Sequence, residues 1–162
     1  MLNLLKATLT AACLIALAGL CAPPALASGD ESATTAPAEE DANYAAGKRA
    51  IAASDWKAAE AALSKAVAKN PGDANAQNLL AYSYRKLGNL DLAFMHYNEA
   101  LRLDPKHLGA HEYIGEAYLM VGNLPKAEEH LAALDKLCPF GCDAYSTLKK
   151  AIADYKQKSG AK

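Results

Sequence analysis

The stretch ANAQNLLAYSYRKLGNLDLAFMHYNEALRLDPKH, residues 74–107, contains two apolar-periodic segments joined by a glycine–asparagine turn and closed by Pro105. Pro71 and Pro139 lie at equal distances on either side of that proline, and each closes a stretch with the same apolar pattern. A fixed period of about 34 residues indicates a stacked array of helical hairpins, each of which buries its apolar face against its neighbours. The sequence therefore predicts an all-helical fold.

Equivalent positions of the three units carry equivalent residues when each unit is counted back from its proline, which places the units at about 40–73, 74–107 and 108–141. Position 8, where two helices approach closely, is small in every unit, and position 20 is always alanine. In the turn, glycine accepts a left-handed backbone and aspartate or asparagine caps the following helix. Position 8 holds Gly47, Ala81 and Gly115, and position 20 holds Ala59, Ala93 and Ala127. The turns are Ser54-Asp55, Gly88-Asn89 and Gly122-Asn123.

This pattern closely resembles the tetratricopeptide repeat over residues 40–141, and the second unit fits best. The resemblance implies an all-α fold, a right-handed α-solenoid of three helix-turn-helix repeats. Such arrays bind other proteins far more often than they catalyse reactions. We predict helices at about 41–53 and 56–69, 74–87 and 90–102, and 108–121 and 125–137.

A seventh helix is predicted after the third repeat, at about 143–157. Apolar side chains recur there at spacings of three and four, and lysines mark the opposite side, which is typical of an amphipathic helix. The apolar positions are Tyr145, Leu148, Ile152 and Tyr155. This helix would cap the last repeat, so the tetratricopeptide domain is predicted at 43–157, with a flexible tail at 158–162.

Residues 1–27 have the features of a secretory signal peptide: the single basic residue Lys6, an uncharged apolar stretch at 7–22, and the A-x-A site Ala25-Leu26-Ala27. We expect cleavage after Ala27 and a periplasmic or secreted protein, with no stable membrane insertion afterwards. An uncleaved anchor is disfavoured because the apolar stretch is shorter than the roughly 20 residues of a spanning helix. Lipoprotein processing at Cys21 is also disfavoured, because Leu20 stands where the lipoprotein signal carries a small residue.

Residues 28–42 differ in composition, with five acidic residues and no basic one. Such a stretch buries too little apolar area to offset its ordering entropy, so we predict a disordered acidic leader. It is either a spacer, which composition favours, or a tether or partner-binding tail. Without residues 1–27 the chain has 16 basic and 18 acidic residues, because only Lys6 is lost. This near balance argues against a nucleic-acid partner.

Cys138 and Cys142 are the cysteines left after signal removal, and they flank Pro-Phe-Gly. In an oxidising compartment we expect them to form a disulfide that clasps the turn after the third repeat. The alternatives are buried free thiols and an active redox or metal site. The redox alternative is weaker because C-x3-C is not the C-x2-C of thioredoxin-like sites, and zinc would need two further ligands.

Other candidate chemistry is sparse. His107 and His111 lie four residues apart at a helix start, but packing or surface roles are favoured over a metal pair, because the H-E-x-x-H order is lacking. The sequence contains no G-x-S-x-G motif and no phosphate-binding glycine loop. We therefore expect a protein that is not an enzyme and that needs no cofactor.

The resemblance implies a concave groove whose contact positions are 2, 5, 9, 12 and 13 of each repeat. In the second repeat these positions hold asparagines for a peptide backbone, a tyrosine ring for stacking, and Arg85 with Lys86 for an acidic side chain or a carboxylate terminus. They differ from the family's chaperone-tail clamp, so that ligand is not implied. The candidate partner-binding residues are Tyr44, Lys48, Asn75, Asn78, Tyr82, Arg85, Lys86, Glu112, Glu116 and Leu119.

We therefore expect a periplasmic adaptor or scaffold that binds a protein or peptide partner in this groove. Because three repeats form only a small groove, we expect micromolar affinity or a contribution from self-association. The alternative is a thiol-redox or metal-handling protein that uses Cys138 and Cys142.

The signal-peptide interpretation makes a prediction about the exported protein. Its intact mass should correspond to a chain that begins at Ser28 and carries no lipid, because the A-x-A site precedes that residue. Mass spectrometry of the protein recovered from the producing cells tests this, and a diacylated Cys21 would contradict it.

Overall fold

A computed structural model describes residues 40–160. The predicted signal peptide at 1–27 and most of the predicted acidic leader lie outside the described residues, as do residues 161–162. The described chain consists of seven α-helices: α1 (Ala42–Ala52), α2 (Trp56–Lys69), α3 (Ala74–Lys86), α4 (Leu90–Leu103), α5 (Leu108–Met120), α6 (Leu124–Leu137) and α7 (Asp143–Ser159). No helix among residues 40–160 is long and apolar enough to cross a membrane.

The all-helical prediction is confirmed, and the helices begin and end within two residues of their predicted bounds. The flexible tail predicted at 158–162 is wrong at its start, because α7 continues through Lys158 to Ser159. The last residues of the predicted leader belong to the first helix: Ala42 is already helical, and the Asp41 carboxylate accepts hydrogen bonds from the backbone N–H groups of Asn43 and Tyr44.

The turn inside each helix pair has the conformation that the sequence predicted. The first turn residue is left-handed in all three pairs, with φ of 57° at Ser54, 80° at Gly88 and 76° at Gly122. Glycine adopts this backbone without steric cost, so backbone strain at the turn is expected only in the first pair, at Ser54. The following residue caps the second helix through its side-chain oxygen in each case, and these caps are Asp55, Asn89 and Asn123.

The first helix of a pair packs closely against a neighbouring helix because the residue at position 8 of each repeat is small. A Cβ atom added to Gly115 on α5 would lie 2.6 Å from Cδ2 of Leu148 on α7, and one added to Gly47 on α1 would overlap Leu63 of α2. Leu148 and Leu63 are fully buried, so neither side chain can swing into solvent. The close approach of α5 to α7 therefore requires glycine at 115.

The helix α7 continues the register of the repeats. Its residue Ala144 occupies the repeat position of Ala76 and Ala110, and Leu148 likewise occupies that of Leu80 and Ile114. All six side chains are buried, and Leu148 forms a cluster with Ala127, Leu134, Ala144 and Ile152. Since α7 contacts both α5 and α6, it occupies the place that the first helix of a further repeat would take. It thereby covers the apolar surface at the end of the array.

The contact between Gly115 and Leu148 can be tested by a double-mutant cycle. Gly115→Val should lower the free energy of unfolding by about 2 kcal/mol through overpacking, and Leu148→Ala by about 3 kcal/mol through a cavity. The double variant should lose clearly less than the sum, because the added methyl groups enter the vacated space.

Denaturant unfolding measures all three losses. Gly72→Ala is the matched control and should be close to neutral, because a Cβ atom there meets only Asn70 Oδ1 at 3.5 Å. Strictly additive losses would show that the two side chains do not compete for the same space.

Candidate functional site

The first helices of the pairs form one continuous layer with α7. The helix α3 contacts both α1 and α5, and α5 in turn contacts α7. All ten predicted partner-binding residues lie on α1, α3 or α5. We call the side of this layer that carries them the groove face. The structure groups Arg85 and Lys86 around Tyr82 and pairs Arg85 with Glu116, whereas Tyr44 and Lys48 form a separate pair on α1.

Arg85 is the residue whose surroundings differ most from expectation. Its side chain is only 8% exposed, and its Nη2 lies 2.7 Å from Oε2 of Glu116. Its Nε donates to the hydroxyl of the buried Tyr97 at 3.3 Å, and the guanidinium group lies over the rings of Tyr82 and Tyr113. Arg85 therefore links α3 to α4 and α5, and its charge is already neutralised by Glu116.

Lys86 is the cation that remains exposed at the end of α3. Its Nζ lies 5.5 Å from the ring centroid of Trp56 and 5.3 Å from that of Tyr82. Trp56 meets Tyr82 edge-on at 5.8 Å, and Tyr82 meets Tyr113 at 4.8 Å. Three half-buried rings thus form a row across the groove face. Lys86 at the edge of this row can pair with an acidic or aromatic group of a ligand.

Tyr44 and Lys48 lie together on α1. The tyrosine packs against the buried cluster of Ala59, Leu63 and Leu80. Lys48 places its Nζ over the Tyr44 ring at 5.2 Å and forms an exposed ion pair with Glu40 at 2.6 Å. Exposed pairs of this kind contribute little to stability and exchange partners readily. Lys48 therefore remains available to a ligand at this edge of the face.

The two asparagines have different surroundings. Asn75 is exposed, and its Oδ1 lies 3.1 Å from Nε2 of His107. Since Nδ1 of His107 accepts from the backbone N–H of Ala110, the neutral ring donates to Asn75 through Nε2. Asn78 is only 4% exposed, and its Oδ1 has no hydrogen-bond donor among the described residues.

Glu112 lies one helical turn before Glu116 on α5 and is half-buried. Burial, followed by the like charge of Glu116, raises its pKa to about 7, and Asp143 of α7 acts in the same direction. The charge of Arg85 acts in the opposite direction, but less strongly than burial or Glu116. Near neutral pH the Glu112 carboxyl group is therefore only partly ionised.

A pocket of about 310 Å³ opens beside Arg85 and Glu116, between α3, α5 and α7. Its apolar lining includes Leu119, Met120 and Tyr155, and Lys158 stands at its rim. Leu119 also packs against the cluster around Leu148, so it belongs partly to the core. Tyr113 and the lining residues on α7 were missed by the sequence analysis. Continuing the repeat count beyond the third unit would have placed part of α7 on the groove face.

The histidines connect elements within the repeats. His96 on α4 places its Nδ1 2.7 Å from Oε1 of Gln77, whose amide donates to the carbonyl of Pro71, and the imidazole stacks on Tyr84. In the next pair His111 takes the place of Gln77, and His130 the place of His96. The same contacts recur there: Nδ1 of His111 lies 2.9 Å from Nδ1 of His130, and Nε2 of His111 lies 3.0 Å from the Pro105 carbonyl oxygen.

The hydrogen-bond directions in this histidine pair follow from the carbonyl. Because a carbonyl only accepts, neutral His111 donates through Nε2 and accepts the Nδ1 proton of His130. Burial, and then electrostatic repulsion between the two imidazole rings, lowers the pKa of His130 to about 4. His111 thus makes packing contacts within its helix pair, which is one of the two roles that the sequence favoured for it. Among residues 40–160, no group of three or more His, Cys, Asp or Glu side chains is placed to hold a metal ion.

Cys138 and Cys142 form a disulfide across the turn between α6 and α7, with their Cα atoms 5.8 Å apart. The predicted pairing of these residues is therefore present in the structure. Cys138 ends α6 and Cys142 precedes α7, so the bond fixes the point at which the capping helix departs.

Comparison with known proteins identifies the family. Family models described as tetratricopeptide repeat match residues 44–107 and residues 84–152. Together these matches cover about two thirds of the chain and extend into α7. The chain belongs to the tetratricopeptide repeat family. Among curated proteins, none matches it significantly.

Solved structures agree with this assignment at the level of the fold. The TPR2B domain of yeast Sti1 in its pHsp70 complex is 24% identical, with a TM-score of 0.65 over 72% of this chain and 94% of that chain. The Sgt2 TPR domain from Aspergillus fumigatus is 22% identical, with a TM-score of 0.66 over 76% and 81%. The Yersinia enterocolitica type III secretion chaperone SycD, in complex with a peptide of the translocator YopD, is 18% identical, with a TM-score of 0.64 over 72% and 92%.

The environments of Arg85 and Lys86 predict that the same substitution destabilises the fold at one position and hardly affects it at the other. Arg85→Met should lower the free energy of unfolding by roughly 2–3 kcal/mol, because it leaves Glu116 without its cation in a mostly buried site. Lys86→Met, the matched control one residue along, should change it by less than about 0.5 kcal/mol. Denaturant unfolding of both variants measures this, and equal losses would show that Arg85 is not a structural link.

Proposed function

We propose that this chain is an exported scaffold that binds a segment of a partner protein along the groove face. The observation that carries the proposal is the row of half-buried rings formed by Trp56, Tyr82 and Tyr113, which lies on the same face as the apolar pocket at Leu119 and Met120. Apolar surface that stays open between charged groups is typical of an interaction site. Rings with polar edges are favoured in binding surfaces, because they bury much area and lose few rotamers.

The proposed mechanism is rigid presentation of side chains. Arg85 and the close α5–α7 packing hold the groove face in place before a ligand arrives, so the ordering cost falls mainly on the bound segment. Lys86 selects for charge at one end, the rings contribute apolar burial, and the pocket accepts a side chain of the partner. The pocket is small, so we expect micromolar affinity for a single segment.

Structural neighbours support a peptide partner. Besides SycD with its YopD peptide, they include PcrH in complex with the chaperone-binding region of PopD, and the first TPR of Spaghetti (RPAP3) bound to an HSP90 peptide. These neighbours are only 18% or 19% identical to this chain, so its partner has to be inferred from its own groove face.

We place the scaffold outside the cytoplasm, in the periplasm or the secreted fraction. Two features support this location: the A-x-A site that ends at Ala27, and the disulfide between Cys138 and Cys142. Disulfides of this kind persist in oxidising compartments.

In this proposal the bond between Cys138 and Cys142 only holds the turn between α6 and α7. A Cys138→Ser, Cys142→Ser double variant should therefore capture the same partners as the natural chain.

Partner capture by chemical crosslinking in the native envelope tests the proposed face. Lys86→Glu and Met120→Glu should each lose most captured partners, because one reverses the exposed charge and the other places a carboxylate at the apolar pocket. Lys65→Glu is the matched control, since this exposed lysine lies on α2, outside the groove face. If all three variants capture the same proteins equally well, the partner does not bind on the groove face.

A further inference from the structure

Phe140 is the most exposed large apolar side chain among residues 40–160. Its relative exposure is 101%, so its ring is not packed against the rest of the described chain. It lies between α6 and α7, in the segment 138–142, which we call the Phe140 loop. Single apolar side chains are common on protein surfaces. A fully exposed aromatic ring nevertheless offers a large apolar area for burial when two molecules associate.

The backbone of the Phe140 loop is restrained in three ways. A disulfide joins Cys138 to Cys142. The backbone N–H of Gly141 donates to the carbonyl oxygen of Cys138 at 2.8 Å, which closes a turn. Pro139, at the second position of that turn, fixes its own φ. A loop that is ordered before contact loses little conformational entropy on binding, so Phe140 is presented as a preorganised anchor.

An apolar pocket of suitable size opens elsewhere on the same chain. It is the pocket of about 310 Å³ between α3, α5 and α7, whose lining includes Leu119, Met120 and Tyr155. A cavity of roughly 150 Å³ is enough to hold a benzene molecule, so this pocket has room for a phenylalanine ring. Met120 is 54% exposed there. Methionine sulfur and tyrosine rings both make favourable contacts with an aromatic ring.

Phe140 cannot fill the pocket of its own chain. Ala151 is the first residue of α7 in the pocket lining, and it lies about 12 Å along the helix axis from Asp143, where α7 begins. The disulfide holds the Phe140 loop at that beginning, and the full exposure of the ring shows that it does not turn back toward the chain. The ring can therefore enter such a pocket only on another copy.

The charges beside the loop and the pocket are complementary. Lys158 stands at the rim of the pocket, where the other charged side chains are paired within the chain. The exposed residues that flank the Phe140 loop carry one net negative charge, and they are Asp135, Lys136 and Asp143. When the loop of one copy approaches the pocket of another, these opposite charges come together and favour the encounter.

We propose that the chain associates with itself, and that Phe140 of one copy inserts into the pocket at Leu119 and Met120 of another. This inference goes beyond the proposed function, because it concerns the chain without its partner. The contact joins two different surfaces, so a copy binds one neighbour through its loop and a second through its pocket. A partner segment that uses the same pocket competes with the neighbouring copy.

Sedimentation velocity of the exported full chain at about 1–500 μM tests the association. The weight-average sedimentation coefficient should rise with concentration. Phe140→Ser and Met120→Glu should each weaken association at least about tenfold, because one removes the ring and the other places a carboxylate at the pocket. Met95→Glu is the matched control and should associate as the natural chain does, since Met95 is 53% exposed on α4, outside the pocket.

A mixture of the two variants tests the contact itself. Phe140→Ser keeps the pocket and Met120→Glu keeps the loop, so the mixture should form pairs that do not grow further, although neither variant associates alone. NMR spectra of isotope-labelled Phe140→Ser should change around Leu119 and Tyr155 when unlabelled Met120→Glu is added. Addition of unlabelled Phe140→Ser should leave them unchanged. Thermal melting of each variant confirms folding.

Three results would show that the inference is wrong: a natural chain that stays monomeric over this range, a Phe140→Ser variant that associates as strongly as the natural chain, and a mixture that forms no pairs. The scaffold proposal is tested separately by Lys86→Glu, which should lose partners and still associate through its intact loop and pocket. Phe140→Ser should retain the partners of the natural chain. If it loses them, the loop docks on the partner and not on a second copy.

Discussion

The close approach of α5 and α7 over Gly115 is the constraint on which the groove face depends. Because position 115 has no side chain, Leu148 fills the space, and α7 can take the place of the first helix of a further repeat. The same contact brings Asp143 toward Glu112, and Ala151 and Tyr155 toward Leu119 and Met120. A helix that caps the array thus also builds one wall of the proposed binding site.

Arg85 shows how a side chain at a contact position can become part of the scaffold. Its pairing with Glu116 and its hydrogen bond to Tyr97 tie three helices together, and they remove one positive charge from the groove face. Lys86 is left as the exposed cation of α3, while Glu112 is left as an acid without a cationic partner among the described residues. The electrostatic character of the face is therefore set by an internal ion pair more than by the number of charged residues on it.

Helix bounds, turn conformations and caps could be predicted from the sequence, because they depend on local chemistry that recurs from one helix pair to the next, as at Gly88-Asn89 and Gly122-Asn123. The disulfide could be anticipated because Cys138 and Cys142 are close in the chain. The partners of Arg85 could not be read from register positions, because a long side chain reaches Tyr97 and Glu116 on two other helices. Whether Oδ1 of Asn78 has a hydrogen-bond donor likewise depends on tertiary packing. In contrast, the recurrence of Ala76, Ala110 and Ala144 was visible in the sequence and would have extended the groove face to α7.

The most direct test of the central claim is a residue-resolved map of where a captured partner segment contacts the chain, obtained by NMR chemical-shift perturbation on titration with that segment. The account predicts the largest changes on α3, α5 and the second half of α7, around Tyr82, Glu112, Met120 and Tyr155. Changes confined to α4, α6 and the part of α2 that follows Trp56 would place the partner on the opposite side of the array and contradict the account.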